Sequence, residues 1–243
     1  MTKAFREEVN IDNCAKEQIH IPGSIQSFGY LIAFDENLKI TRASENIQEI
    51  TGENAAALVG QDLSRILNPK DLERLDNSSN ELRRRNAILS LKSGHQVGCV
   101  IHSAGKECFL DLVPNKSEGT QIFLAISELS SSLSRAKSLE ELAKIMVDTV
   151  RKVSKFDRIK LYQFDKDWHG EVIAEARDPE IPSYKGLHFP ESDIPKQARE
   201  LYIRNRVRVI ADVEDAQSTI YQHEDAKPLD LSFSFSRRRI IVQ

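Results

Sequence analysis

The chain has 243 residues, 40% of them hydrophobic and 29% charged, with a net charge of −3. This is the balance of a soluble globular protein with one large domain or two small ones, and it excludes long disorder and fibrous architecture. The small negative charge gives no electrostatic basis for binding nucleic acid or a membrane surface, and no apolar run approaches the roughly 18–20 residues of a membrane span.

From Met1 to Asn13 the chain is polar, with five charged residues and no apolar core, which excludes a signal peptide and makes the cytoplasm the default. Cys14 follows in a polar segment, where Lys16 favours its thiolate modestly. Ile19 to Gln26 alternates apolar residues with Pro22-Gly23 and predicts an extended segment laying Ile19, Ile21 and Ile25 on an apolar surface. Gly29–Phe34 and Lys39–Ala43 read as strands around the turn at Asp35-Glu36-Asn37. Short helical pieces follow at Ser44–Thr51, Asn54–Leu58 and Asp62–Ile66, then a charged helix at Lys70–Arg84, weakened in its middle by Asn77-Ser78-Ser79. Four apolar-rich segments (Ala87–Leu91, Gln96–Ser103, Glu107–Val113 and Thr120–Ile126) are punctuated as hairpins by Gly94, Ala104-Gly105 and Pro114-Asn115. Strands, small helices and then a meander make an α+β pattern.

A Ser-rich stretch at Ser130–Ser134 separates a second α+β unit that begins near residue 128. Its helix, Ser138–Val153, carries an apolar stripe of Leu139, Leu142, Ile145, Met146, Val147 and Val150 at the 3.6-residue period, with Ser138 as N-cap. Arg158–Phe164 and Glu171–Ala176 read as a hairpin. The stretch Pro190-Glu191-Ser192-Asp193-Ile194-Pro195 is rigid at both prolines and runs straight into a helix, Lys196 to Arg206. Ser and Asp are ordinary capping residues, so local chemistry leaves two readings: a ligand grip, or a stiff loop with a cap. Arg199 and Tyr202 share a face of that helix, and with Arg204, Arg206 and Arg208 they suit carboxylate binding or an ordinary solvated face.

The three cysteines are odd in number and widely spaced, which argues against a disulfide framework. Cys99 and Cys108 read as small buried hydrophobes. No cysteine pair has zinc-like spacing and the six histidines do not cluster, so no metal site is expected. One basic run, Arg237-Arg238-Arg239, is weak evidence for nucleic acid on an acidic chain. The phosphate-loop, dinucleotide, hydrolase-elbow and zinc-protease motifs are missing, which favours a binding or sensory module over an enzyme.

Taken together, Cys14, the run Ile19–Gly29 and the first α+β unit resemble the N-terminus of bacterial phytochromes, with a PAS domain. The second unit resembles the start of the phytochrome GAF domain. It does so through Phe156-Asp157-Arg158, Tyr162-Gln163-Phe164-Asp165, Gly170–Ala176, the hexapeptide in the place of the family's Pro-x-Ser-Asp-Ile-Pro, Asn205–Arg208 and Ile210-Ala211-Asp212. The resemblance spans about residues 10 to 237. It implies an arm at 1–18, a PAS domain at 19–127 and a GAF domain at 128–243, in a red/far-red photoreceptor fragment that binds a linear tetrapyrrole. The pigment would be biliverdin, joined through a thioether to Cys14. Asp193 would turn its backbone carbonyl to the pyrrole N–H groups, and Ile194, beside Pro195, would pack on the pigment plane. Tyr162, Phe189 and Tyr202 would surround the isomerising ring, Arg208 would approach a propionate, and Arg237 would approach the aspartate region. The N-terminal arm would pass through a loop at about Val213–Pro228, and a homodimer is a candidate partner arrangement; the PAS unit and the helix Ser138–Val153 would make the dimer contacts if the chain were a pigment-free interaction module.

The chain departs from the family at Ser27-Phe28 (usually Pro-His), at Glu191 and at Phe233. After Arg237 the family's Ser-Pro-x-His and the rest of its GAF sheet do not follow. The expectation is therefore a truncated second domain, marginally stable beside a well-folded first, and a chain without the family's kinase. A pigment-free interaction module and a non-functional remnant are the alternatives.

Overall fold

The computed structural model describes residues 18–76, 85–104, 106–115, 127, 129–130, 132–133 and 136–238. These fall into two compact units, one drawn from Met1–Asn115 and Lys196–Gln243, the other from Lys116–Pro195. Both combine antiparallel sheet with helices, so the fold class is α+β. The grouping departs from the chain-order division at residues 127 and 128, because residues 196–238 pack with the N-terminal part of the chain.

The first unit is built on β1 (Ser24–Gln26), β2 (Tyr30–Phe34), β3 (Ile40–Ser44), β4 (Arg85–Ser90), β5 (Gln96–Ala104) and β6 (Glu107–Pro114), with β10 (Gln217–Gln222) contributed from far along the chain. The strand order is β1-β10-β3-β2-β6-β5-β4, all antiparallel. Between β3 and β4 lie α1 (Gln48–Thr51), α2 (Ala55–Leu58) and α3 (Pro69–Asp76). Asn54 caps α2, its Oδ1 accepting the Ala57 N–H at 2.8 Å. The expected strand at Thr120–Ile126 and the distal half of the expected Lys70–Arg84 helix lie outside the described residues.

All five residues of β2 are buried. A strand has two faces, so burial of every residue requires cover on both sides. Tyr30, Ile32 and Phe34 face the larger core, with Ile40, Leu58, Leu63, Leu110 and Leu112. Leu31 and Ala33 face the other way, onto Phe109, Ile25, Ile220, Leu229 and Leu231. Residues 218–237 are thus the second layer of this sheet. Their polar side chains are matched as well: Ser234 and Ser236 donate to Oδ1 of the fully buried Asp111 at 2.8 and 2.9 Å, and His102 stands 3.6 Å from its Oδ2. Gly29 is needed where this cover presses closest, since a Cβ there would lie 2.7 Å from that of Ser236. Arg42 on β3 pairs with Glu107 at 3.1 Å and donates to the Lys227 carbonyl at 2.8 Å.

In the second unit α4 (Leu139–Ser154) packs on a sheet of β7 (Arg158–Phe164), β8 (Gly170–Arg177) and β9 (His188–Phe189). Ser138 caps α4 as the sequence predicts, accepting the Glu141 N–H at 3.1 Å, and Lys155 ends it in the left-handed region. Ala143 and Val147 meet Ala174 and Ala176, with Ile159 and Leu161 beside them. Leu139 and Val150 from the predicted stripe stay exposed, as does Val153 in the last turn. The loop after β8 is organised by Glu175, whose side chain is 3% exposed. Its carboxylate accepts from the Ser183 hydroxyl at 2.6 Å and the Tyr184 N–H at 3.0 Å, and Arg158 stands 3.2 Å away. Burial works to raise this carboxyl's pKa, but those hydrogen bonds and the Arg158 charge outweigh it and hold it below the ordinary 4.5.

Two outcomes follow from this packing. Leu231→Ala should destabilise the first unit by about 2–5 kcal/mol, as for other fully buried leucines, read as a lower urea midpoint at unchanged slope. Glu175, with its folded-state pKa depressed, contributes stability that is complete above its unfolded value near 4.5 and is lost as the pH falls through the lower folded value. Glu175→Gln should therefore be less stable than wild type at neutral pH. It should also flatten the fall in urea stability of the second unit from just above 4.5 downward.

Candidate functional site

The site residues expected from the sequence divide between the two units. Tyr162, Phe189, Asp193, Ile194 and Pro195 belong to the second; Tyr202, Arg208 and Arg237 belong to the first. Cys14 lies outside the described residues.

In the second unit, Pro190 is extended and Glu191–Asp193 make a single 3-10 turn. The Asp193 N–H donates to the Pro190 carbonyl at 3.2 Å, and the Ile194 N–H to that of Glu191 at 3.3 Å. The two prolines thus enclose a hydrogen-bonded turn, which leaves Asp193 exposed and Ile194 and Pro195 half-buried. Tyr162 on β7 packs against β8 where Gly170 leaves no side chain; any Cβ at that position would overlap its ring. Phe164 meets the Tyr162 ring edge-on at 5.1 Å, and Phe189 lies 6.0 Å away. Burial, and then the negative charge of Asp193, push the Tyr162 hydroxyl up. The phenol and this carboxylate therefore share one electrostatic neighbourhood.

In the first unit, α5 (Lys196–Arg204) begins directly after Pro195 and buries Ala198, Arg199 and Leu201. Tyr202, Asn205, Arg208, Phe235, Arg237 and Ile19 line one cleft. It is shallow: its closed part has room for about one water molecule. Asn205 ends α5, its Nδ2 donating to the Ser234 carbonyl at 3.4 Å and its Oδ1 accepting the Val207 N–H at 3.3 Å. Arg237 is 8% exposed and bridges backbone to backbone with Ile25. The structure thus brings Tyr202, Arg208 and Arg237 to one place although Tyr202 and Arg237 are 35 positions apart in the sequence. The sequence reading does not single out Ile19, Asn205 or Phe235 as lining residues. The alternation of Phe233 and Phe235 with Ser232, Ser234 and Ser236 is the signal that marks this stretch as a two-faced extended cover.

Among the remaining candidates, Cys99 is buried and Cys108 half-buried. Burial pushes both thiols up, as expected of small core residues. Asp165, Asp167 and His169 lie within 4.8 Å of one another in the exposed turn between β7 and β8. Asp165 Oδ1 is engaged there by the Asp167 and His169 N–H groups, at 2.8 and 2.9 Å. Among the described residues no helix is long and apolar enough to cross a membrane.

Comparison with known proteins gives the context. The PAS fold family matches residues 14–115. The chain is 34% identical over 244 residues to cyanobacterial phytochrome B of Nostoc sp., covering 95% of this chain and 32% of that protein. It is 33% identical over 235 residues to a bacteriophytochrome of Xanthomonas campestris, covering 92% of this chain and 37% of that one. The chain thus spans about a third of the length of the curated relatives it matches. Its structure is similar to the crystal structure of the chromophore-binding domain of a Stigmatella aurantiaca bacteriophytochrome, with a TM-score of 0.84 and 36% identity, covering 93% of this chain and 78% of that domain. The match falls on this region of phytochromes and not on an enzymatic output module. With more than three quarters of that domain matched at this identity, the chain belongs to the bacteriophytochrome family.

Proposed function

We propose that this chain is the light-sensing region of a bacteriophytochrome and holds a linear tetrapyrrole, biliverdin, attached at Cys14. The observation that carries the proposal is the cleft of the first unit, which Tyr202, Arg208 and Arg237 line from separate parts of the chain. Two planar cations with fork-like donors suit the carboxylate of a propionate. In the second unit the hydrogen-bonded turn at Asp193 presents a fixed carbonyl for pyrrole N–H donors. Ile194 supplies an apolar contact, and Tyr162 and Phe189 supply aromatic walls.

The first unit's arginines thus suit carboxylate groups, and the second unit's turn and aromatic rings suit a conjugated, nitrogen-bearing ring system. When bound, the pigment supplies the photochemistry, isomerisation of one double bond. The protein's part is attachment and orientation. Cys14 would hold the pigment through a thioether, its S–H adding across a vinyl group with no leaving group. Arg208 and Arg237 hold carboxylate charge, and Tyr162 and Asp193 set the polarity around the ring system. The family's division into an arm to residue 18, a PAS domain to 127 and a GAF domain from 128 is part of this reading. So are a cytoplasmic location and a homodimer through the exposed Leu139, Val150 and Val153 of α4.

Purified protein incubated with biliverdin and then denatured should retain pigment on the chain, and Cys14→Ser should release it. Absence of an adduct in the wild type, or an adduct that survives the substitution, contradicts the attachment. A light-minus-dark difference spectrum tests photoconversion separately.

A further inference from the structure

Gln26 is the last residue of β1 and is 1% exposed, an unusual place for a primary amide. Burial of that group is tolerated only when its donors and acceptor are used. Its Nε2 donates to the Val209 carbonyl at 2.7 Å and to the Arg237 carbonyl at 3.2 Å. Its Oε1 accepts the Ala211 N–H at 3.0 Å. Its backbone N–H donates to the Ser236 carbonyl at 2.7 Å. One side chain therefore ties together the backbone just after Arg208 and the backbone of Arg237 itself. The next residue extends the same clip: the Ser27 N–H donates to Asp215 Oδ2 at 2.6 Å, and the Ser27 hydroxyl donates to the other oxygen of that carboxylate.

The segment held this way is irregular and largely exposed. Val207, Val209, Ile210 and Val213 are exposed, and residues 205–216 contain no helix or strand. Irregular backbone with little apolar burial opens easily. Three hydrogen bonds from a dry amide supply what packing does not.

We infer that Gln26 is a positioning residue: its buried side-chain amide fixes the backbones that carry Arg208 and Arg237, and so sets the spacing of the two guanidinium groups across the cleft. A fixed backbone at both arginines removes part of the ordering that carboxylate binding would otherwise require. A methionine in place of Gln26 would match its length but leave the Val209 and Arg237 carbonyls and the Ala211 N–H without this partner. The pigment half of the inference rests on the reading of the cleft as a propionate site; the structural half does not.

The test has two arms. Without pigment, trypsin cleavage after Arg206 and Arg208 should be about tenfold faster in Gln26→Met than in wild type, the factor expected for losing hydrogen bonds of ordinary net strength, while cleavage after Lys160 in the second unit is unchanged. With pigment, Gln26→Met should bind biliverdin about tenfold more weakly, yet bind biliverdin dimethyl ester, whose propionates are masked, as wild type does. Should Gln26→Met be cleaved throughout, Gln26→Asn serves in its place: polar, one methylene too short, with the same local effect expected. Unchanged cleavage at 206 and 208, or equal loss for acid and ester, overturns the inference. A wild-type chain that takes up no biliverdin overturns the pigment reading instead, and the trypsin arm alone then decides whether Gln26 holds the segment.

Discussion

The apolar outer face of β2 and β6 is the constraint on which the rest of this structure depends. Leu31, Ala33 and Phe109 point away from the helices and need cover, and a buried carboxylate, Asp111, stands on the same face. The chain meets both needs with one late segment. Ile220, Leu229 and Leu231 fill the apolar part, and Ser234 and Ser236 satisfy the carboxylate. The segment also supplies a strand, β10, inserted between β1 and β3, so that a hydrogen bond from Ser24 reaches Gln217 across 193 positions. Contacts of such separation are entropically costly to close and slow to form, which leaves the early strands with an uncovered face until the late segment arrives.

The candidate site inherits its rigidity from this arrangement. Arg208 and Arg237 flank the covering segment, and their backbones are tied to β1 by Gln26 and by the bridge of Ile25 with Arg237. The residues that hold the sheet's second layer in place are thus the same ones that shape the cleft. A change in the cleft therefore has a short covalent and hydrogen-bonded route into the PAS sheet. The cluster in the second unit has a different basis: Tyr162 stacks on Gly170, and Asp193 sits in a turn bounded by prolines.

Elements with a local signature were legible in the sequence. A continuous apolar run marks β2, alternation marks β5 and β6, and Ser138 with its following carboxylates marks the start of α4. The hexapeptide could be read as rigid because proline restricts its own φ and its neighbour's backbone. β1 falls within the extended segment predicted at Ile19–Gln26, though its partner did not show, and β10 was not legible, because a mixed Gln-Ser-Thr-Ile-Tyr-Gln run carries too little periodicity to declare itself without partners. The resemblance named Tyr202, Arg208 and Arg237 but assigned Arg237 to the aspartate region; that the three line one cleft is visible only in the fold. Gln26 was invisible for a related reason: a glutamine in an alternating run looks like a solvent-facing position, and only the fold brings the Val209, Ala211 and Arg237 backbones to its amide.

The central claim, that residues 217–237 are an integral layer of the first unit, can be tested by native-state amide hydrogen exchange resolved to single residues. The account predicts that the amides of β10 are as slow as those of β6, and that the two sets are released together as urea is raised, as one cooperative unit. Rapid exchange along β10 while Leu110 and Leu112 stay protected would contradict it, since the sheet would then hold without its late-arriving layer.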